Sequence, residues 1–274
     1  MSNELLTGQK SENEYCVICD QQSQFRFDNS IITPQLRNVW GISDDLVEAF
    51  NRKESMFCSN CGGSLRIRRL AAILIQTWTE KKGPLYRSFT QLMEDHDFRH
   101  LRIAEINKCG ALHEFLKNHP GLYYSEYIEG MLSGQEKTSI RCEDLQQLHY
   151  PDDYFDFILT SETLEHVPDP IRAFQEIYRT LKPGGYHIFT VPVITSQKNT
   201  VQRSIVQNNI IQHILPPAYH GAWLQEGMFV YTDFGMDIID MLNAIGLKTE
   251  VYYYKPGDDT DMAVVFRSRK PKNV

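Results

Sequence analysis

The sequence predicts a doubly wound, mostly parallel α/β sheet of seven strands, preceded by a small N-terminal metal-binding module. Three observations carry this expectation. From residue 100 onward, short β-branched or aromatic runs alternate with helical periodicity. Turn signals such as Lys182-Pro183-Gly184-Gly185 separate them. Before residue 65, four of the six cysteines fall into two CxxC pairs.

The N-terminal pairs are Cys16 and Cys19 in YCVICD and Cys58 and Cys61 in FCSNCGG. Two residues between thiolates let both sulfurs face one point, and four thiolates suit tetrahedral zinc. A ligand set of four cysteines leaves no open position, so the expected zinc is structural. Cys109 and Cys142 remain as ordinary small residues. Residues 1–64 are read as this zinc-knuckle module and 65–99 as a helical connector. In SLRIRRLAAILIQTWTEKK the apolar residues recur at helical spacing, and Arg66, Arg68 and Arg69 are expected on a solvated face that pairs with nearby acids. Gly83-Pro84 ends that helix, and a second helix is expected from Leu85 to about Asp97.

In residues 100–274, the expected strands are 102–106, 121–127, 138–142, 154–161 and 186–192, followed by 247–254 and 262–269. The last two are separated by the Pro256-Gly257 turn and form an antiparallel edge. Helices are expected at 111–119, 171–181 and about 233–245. Residues 193–230 fit no repeat of this pattern and read as an insertion. In such sheets ligands bind beyond the carboxyl ends of the strands at the topological switch point. The segments to inspect are therefore Glu105–Gly110, Ser125–Tyr127, Glu143–Leu145 and Ser161–His166.

The 274 residues carry 28 Lys and Arg against 35 Asp and Glu, a net charge of −7. That balance argues against broad charge-driven binding to nucleic acid. The longest apolar run, Leu70 to Ile75, is far short of the ~20 residues that cross a bilayer. The first fifteen residues carry no basic segment followed by an apolar one. The expectation is a soluble, cytoplasmic protein.

The run DLQQLHYPDDYFDFILTSETLEHVPDPIRAFQEIYRTLKPGGYHIFTVP resembles the central half of class I S-adenosylmethionine-dependent methyltransferases of the type 11 kind. The resemblance extends over roughly residues 100–268 and implies their Rossmann-like fold. The whole chain is similar to bacterial methyltransferases that carry a cysteine-knuckle module ahead of this fold. For S-adenosylmethionine, the resemblance implies Glu105 near its amino end and Gly110 under its methionyl part. It implies Glu126 on both ribose hydroxyls and Tyr127 against the adenine. It also implies Asp144 with Leu145 at the adenine's amino edge, and Ser161 with Glu162 near the transferring methyl. One departure stands out: the first loop has Asn107-Lys108-Cys109 before a single glycine, where the family carries several. Asn107 tolerates positive φ, and Lys108 is expected to pair with the cofactor carboxylate.

Two readings of the whole follow. In the first, the protein methylates a hydroxyl of a small molecule, and the insertion with His213, Tyr219, His220 and Trp223 forms a lid and acceptor pocket. In the second, the fold is catalytically inactive and the zinc module grips a partner. For Glu162-Thr163-Leu164-Glu165-His166, a helical turn brings Glu162, Glu165 and His166 to one face. This pattern is similar to the divalent-metal ligands of the plant small-RNA methyltransferases and the ubiquinone-biosynthesis O-methyltransferases. It implies Mg, Mn or Fe at those three residues, with His220 or His213 as a fourth ligand. The alternative is that His166 is a general base, with Glu162 and His220 beside it in the catalytic site.

Overall fold

A computed structural model of the chain describes residues 12–28, 30–34, 37–38, 41–208, 210–220, 227–253 and 262–272. The expected Pro256-Gly257 turn and Trp223 lie outside the described residues.

The N-terminal part folds by strand pairing. Strands β1 (Glu12–Cys16), β2 (Gln21–Arg26) and β3 (Phe57–Cys58) form an antiparallel sheet. Its registers, Cys16 opposite Gln21 and Phe25 opposite Cys58, bring the two CxxC pairs together. Each pair closes a tight turn: the Asp20 N–H donates to the Cys16 carbonyl at 3.1 Å, and the Gly62 N–H to Cys58 at 2.8 Å. Helix α1 (Asp44–Ser55) precedes β3, and its N-cap Ser43 accepts from the Leu46 N–H.

Helix α2 (Leu65–Lys82) has the bounds that its spacing predicts, capped by Ser64 and ended by Gly83 at φ 94°. The second expected helix is a single turn, α3 (Phe89–Leu92), followed by a 3₁₀ turn at Phe98–His100. The segment is held instead by the first knuckle. The Phe89 N–H donates to the Val17 carbonyl at 2.7 Å, and the Thr90 hydroxyl to Ile18 at 2.9 Å.

The main sheet then forms. Its strands are β4 (Ile103–Ile106), β5 (Leu122–Glu126), β6 (Glu136–Lys137), β7 (Ile140–Cys142) and β8 (Phe155–Ser161). Helix α4 (His113–Leu116) lies between β4 and β5, shorter than the expected 111–119 and entered through a 3₁₀ turn at Gly110–Leu112. Helix α5 (Pro170–Thr180) leads into β9 (Leu181–Thr190). The insertion is built of short hairpin strands: β10 (Val201–Gln202), β11 (Ser204–Gln207), β12 (Ile210–His213), β13 (Tyr219–His220), β14 (Met228–Phe229) and β15 (Thr232–Asp233). Helix α6 (Ile238–Ile245), β16 (Lys248–Tyr252) and β17 (Val265–Arg269) complete the chain.

Among the described residues the sheet order is β16-β17-β9-β8-β4-β5-β7-β6. Strands β7, β5, β4, β8 and β9 are parallel, and β17 is antiparallel to both β9 and β16. The chain winds outward from β4 in one direction and from β8 in the other, so the switch point lies between them. This is the Rossmann-like methyltransferase fold. Several expected bounds move, three of them for local reasons visible in the pairing. The strand at 138–142 begins at Ile140, because Thr138 (φ 50°) and Ser139 (φ 66°) make a two-residue hairpin turn with β6, an eighth strand. The helix expected from about 233 begins at Ile238, because Thr232 and Asp233 pair with β10. Strand β9 starts five residues before the expected 186, running through Lys182–Gly185.

Side chains of the central strands alternate between two cores. Phe157 and Leu159 face α2, packing with Leu74, Trp78 and Phe98. Ile158 faces Phe174 of α5 and Leu242 of α6. Cys16, Ile18 and Phe25 of the knuckle module belong to the first of these cores. The expected connector is thus a covering layer of the sheet, and the knuckle module shares its core.

A Cβ on Gly185 would lie 2.9–3.1 Å from the carbonyl oxygens of Lys182, Phe155 and Asp156. All three are backbone, so the neighbours cannot swing away. Gly185→Ala is expected to cost about 1–3 kcal/mol, read as a melting temperature several degrees lower. An unchanged melting temperature would refute this packing.

Candidate active site and cysteine cluster

The loop after β4 is shaped by two left-handed residues, Asn107 at φ 59° and Gly110 at φ 50°. Glu105, fully buried, holds it from below: its carboxylate accepts the Cys109 N–H at 2.8 Å and faces His113 Nδ1 at 2.6 Å. Burial outweighs these bonds and raises its carboxyl. Asn107 Oδ1 accepts the Tyr127 N–H at 3.0 Å, tying the first loop to the second. Glu126, at the end of β5, accepts the Lys108 N–H at 3.2 Å and the Tyr124 hydroxyl. Glu105, Asn107, Gly110, Glu126 and Tyr127 are therefore gathered at the carboxyl ends of β4 and β5. The Lys108 side chain turns away and pairs with Glu114 at 2.8 Å, against the expectation that it faces the cofactor.

After β7, Asp144 Oδ1 accepts the Gln146 N–H at 2.8 Å, closing a local turn, and the Leu145 side chain is buried in the core. Ser161, at the end of β8, shares a hydrogen bond of 3.0 Å with Thr190 and accepts another from Arg66.

The next residues depart from the expected helical turn. Glu162 has φ 50°, and the 3₁₀ turn comprises only Leu164–His166. Glu162 is therefore not stacked with Glu165 and His166. Lys53, on the last turn of α1, holds its Oε2 at 2.9 Å. Three side chains do converge: Glu165, His166 and His220 offer ligand atoms within 4.8 Å of one another. Glu165 Oε1 lies 3.6 Å from His166 Nε2 and 3.7 Å from His220 Nε2. His166 Nδ1 is 2.8 Å from the Phe229 carbonyl, which can only accept. The proton therefore sits on Nδ1, and the Nε2 lone pair faces Glu165. Glu165 is 1% exposed, and neither of its oxygens has a hydrogen-bond partner. Burial, then the charge of Glu162, pushes its carboxyl well above the usual range. Burial lowers His166, and lowers His220 to about 3. His213 stands apart on the exposed β11–β12 hairpin, bonded to Ser204 at 2.9 Å.

Sequence patterning alone did not reveal the basic side of this site. Arg66 is not on a solvated face: it makes a two-pronged pair with Glu54 at 2.9–3.2 Å and reaches Ser161. Arg68 is buried, with its guanidinium 3.6 Å from the Phe25 ring centre. Arg69 donates to the Ala263 carbonyl at 3.4 Å. Burial would raise Glu54, but Arg66 and Lys53 bring it down to about 2.

The second cluster is that of the cysteines. Cys16, Cys19, Cys58 and Cys61 place their sulfurs within 4.8 Å of one another, with Cys16–Cys61 at 3.7 Å and Cys19–Cys58 at 3.9 Å. Edges of this length match a tetrahedron of thiolates at ~2.3 Å from a central zinc. Without a cation the four cannot all ionise. The hydrogen bond from Cys61 lowers Cys16 to about 5, while burial and the Cys16 charge raise Cys19 to about 12.

Residues 110–189 match a family described as a methyltransferase domain. Among curated relatives, a demethylmenaquinone methyltransferase of Listeria monocytogenes is 31% identical over 100 residues, covering 33% of this chain and 41% of that protein. An uncharacterized methyltransferase of Schizosaccharomyces pombe is 42% identical over 48 residues, covering 18% and 17%. The chain spans less than half the length of these relatives. Among solved structures, an S-adenosylmethionine-dependent methyltransferase of Mesorhizobium loti aligns with TM-score 0.41 and 22% identity, covering 62% of this chain and 90% of that one. No helix among the described residues is long and apolar enough to cross a membrane.

The Glu54 pair gives this site an acid-sensitive stability. The folded value, about 2, lies below the ordinary 4.5, so the contribution is complete above pH 4.5 and is lost as pH falls through 2. Glu54→Gln is expected to lower the melting temperature at pH 7, with the gap to wild type narrowing below pH 4.5. A gap that stays constant down to pH 2.5 excludes this ion pair as its source.

Proposed function

We propose that this protein, whose residues 110–189 are a methyltransferase domain, transfers a methyl group from S-adenosylmethionine to a hydroxyl of a small molecule. One observation carries the reading: the left-handed Asn107–Gly110 loop and the Glu126 carboxylate face each other across adjacent strands beside the switch point. The glycine-poor loop is no obstacle. Its two positive-φ positions are filled by asparagine and glycine, Lys108 turns to Glu114, and Cys109 is buried in the core. These features support the enzyme over an inactive scaffold.

In this reading Glu126 takes the ribose hydroxyls and Tyr127 lies against the adenine. Asp144 and Leu145 meet its amino edge, which requires Asp144 to leave its bond to Gln146. Glu105 acts through the loop, by fixing the Cys109 N–H. Bound S-adenosylmethionine supplies an activated methyl on a sulfonium, so positioning and exclusion of water are the protein's main tasks. Ser161 and Glu162, fixed by Arg66 and Lys53, form the floor. His166, neutral and with its Nε2 lone pair exposed to the cluster, accepts the hydroxyl proton, and His220 stands opposite.

A second reading has one specific observation in its favour. A lone pair on His166 Nε2 facing the unpartnered Glu165 Oε1 at 3.6 Å is repulsive unless a cation or proton lies between. Glu165, His166 and His220 would then hold Mg²⁺, Mn²⁺ or Fe²⁺. The ligand set is narrower than the sequence pattern implies, since Glu162 is engaged by Lys53. The cysteine cluster takes one structural zinc, which ties β1, β2 and β3 together.

Calorimetry with S-adenosylmethionine and S-adenosylhomocysteine tests the main reading; failure of both to bind folded protein favours the scaffold. Glu126→Ala is expected to weaken binding at least about tenfold, since a hydrogen bond to a charged group contributes ~1.5–3 kcal/mol. Metal analysis of protein purified without chelator is expected to give one zinc, lost in Cys58→Ser. Turnover that survives chelation with this zinc intact leaves His166 as the base and removes the second metal.

A further inference from the structure

Beside Glu165 and His220 the fold leaves a cavity of about 130 Å³. Its walls are mainly apolar, with Phe50 and Ile42 from the N-terminal module, Ile194 and Val230 from the insertion, and Phe234. An enclosed apolar site of about 150 Å³ accommodates benzene, so this one has room for a single six-membered ring.

Its polar lining consists of Glu165, Gln197, Arg203, His220, Thr232 and Asp233. Glu165 presents a buried carboxylate without a hydrogen-bond donor. Thr232 presents a buried hydroxyl, and Arg203 a buried Nε–H, each without a partner. The Arg203 charge is already committed: its Nη1 pairs with Asp233, and its Nη2 donates to the Pro216 carbonyl at 3.0 Å. The cavity therefore offers no spare cation for an anionic substituent. Each unpartnered group costs free energy until a ligand satisfies it.

We infer that this cavity is the acceptor pocket, and that the acceptor is a neutral single-ring molecule with two oxygens. One is a hydroxyl that donates to Glu165; the other accepts from Thr232 Oγ1 and Arg203 Nε–H. The inference rests on the methyltransferase reading above and specifies its substrate class. In the transfer, the acceptor oxygen bonds to the methyl carbon as the carbon–sulfur bond breaks onto sulfur. The hydroxyl proton passes to the Glu165 carboxyl as that carboxyl gives its own proton to His166 Nε2, leaving a methyl ether and a neutral thioether.

The test is calorimetry on protein saturated with S-adenosylhomocysteine, using resorcinol, phenol and benzoate as probes. Resorcinol is expected to bind about tenfold more tightly than phenol, and benzoate not at all. Thr232→Val should bring resorcinol to the phenol level without changing phenol. Val230→Phe and Ala218→Leu, at two positions that line the cavity, should abolish both while leaving S-adenosylhomocysteine affinity within twofold. Resorcinol binding that survives both fillings, a benzoate affinity equal to that of resorcinol, or no probe binding to saturated protein overturns the inference. Failure of S-adenosylhomocysteine itself to bind is a separate result, which removes the methyltransferase reading and this pocket's role with it.

Discussion

Much of this molecule is organised around charges that meet at the carboxyl end of β8. Lys53 and Glu54 arrive on the last turn of α1, Arg66 on the first turn of α2, and Glu162 from the loop after β8. Lys53 is 1% exposed, so its charge has lost nearly all contact with water. Such a group is tolerable only when its partners are fixed, and removing one partner of a buried pair costs about 3–5 kcal/mol. The network thus ties the cysteine module to the sheet more specifically than apolar packing does. It also holds Glu162 in the left-handed region, where a residue other than glycine is strained.

That constraint explains why the N-terminal module is integral to the site. Cys58 follows Lys53 by five residues, and β3 fixes it against Phe25 of β2. The cysteine cluster therefore anchors one end of α1, while the Lys53–Glu162 pair anchors its side chains over the sheet. Phe50, on the same helix, lines the cavity beside Glu165. Loss of the cluster would free α1 and disturb both the charged floor and the apolar wall. A metal held by the cysteines would be structural in its chemistry, yet its removal would reach the cavity beside Glu165.

The sequence was legible where the physics is local. The strands are short apolar runs bounded by turn residues, and α2 carries both its cap and its terminating glycine within its own segment. The four cysteines converge because each CxxC pair closes its own turn and the registers of β1, β2 and β3 bring the two turns together. Elsewhere the determining partner is remote. Residues 85–97 have helical spacing, but the carbonyls of Val17 and Ile18 take the N–H and hydroxyl groups at the start of that run. Arg66 looked like a surface charge because its partners stand 12 and 95 positions away. Lys53 gave no signal at all, since one lysine near a helix end is ordinary until a distant carboxylate faces it. The Glu162–His166 pattern misled for a similar reason: equal spacing implies one face only if the segment is helical, and positive φ at Glu162 turns it aside.

The glycine-poor loop illustrates how a sequence departure can leave geometry intact. A glycine-rich turn serves two needs, positive φ and room for a ligand to approach backbone. Here the first need is met at Asn107 and Gly110. The second is met by direction rather than by absence of side chains, because Lys108 leans outward onto Glu114 and Cys109 points into the core. Gly110 also answers to a neighbour on the other side: a Cβ there would lie 3.1 Å from Ile67 of α2. The one glycine retained is thus the position where the covering helix, as well as the turn, excludes a side chain. The other positions accommodate side chains, because the groups they carry have somewhere else to go.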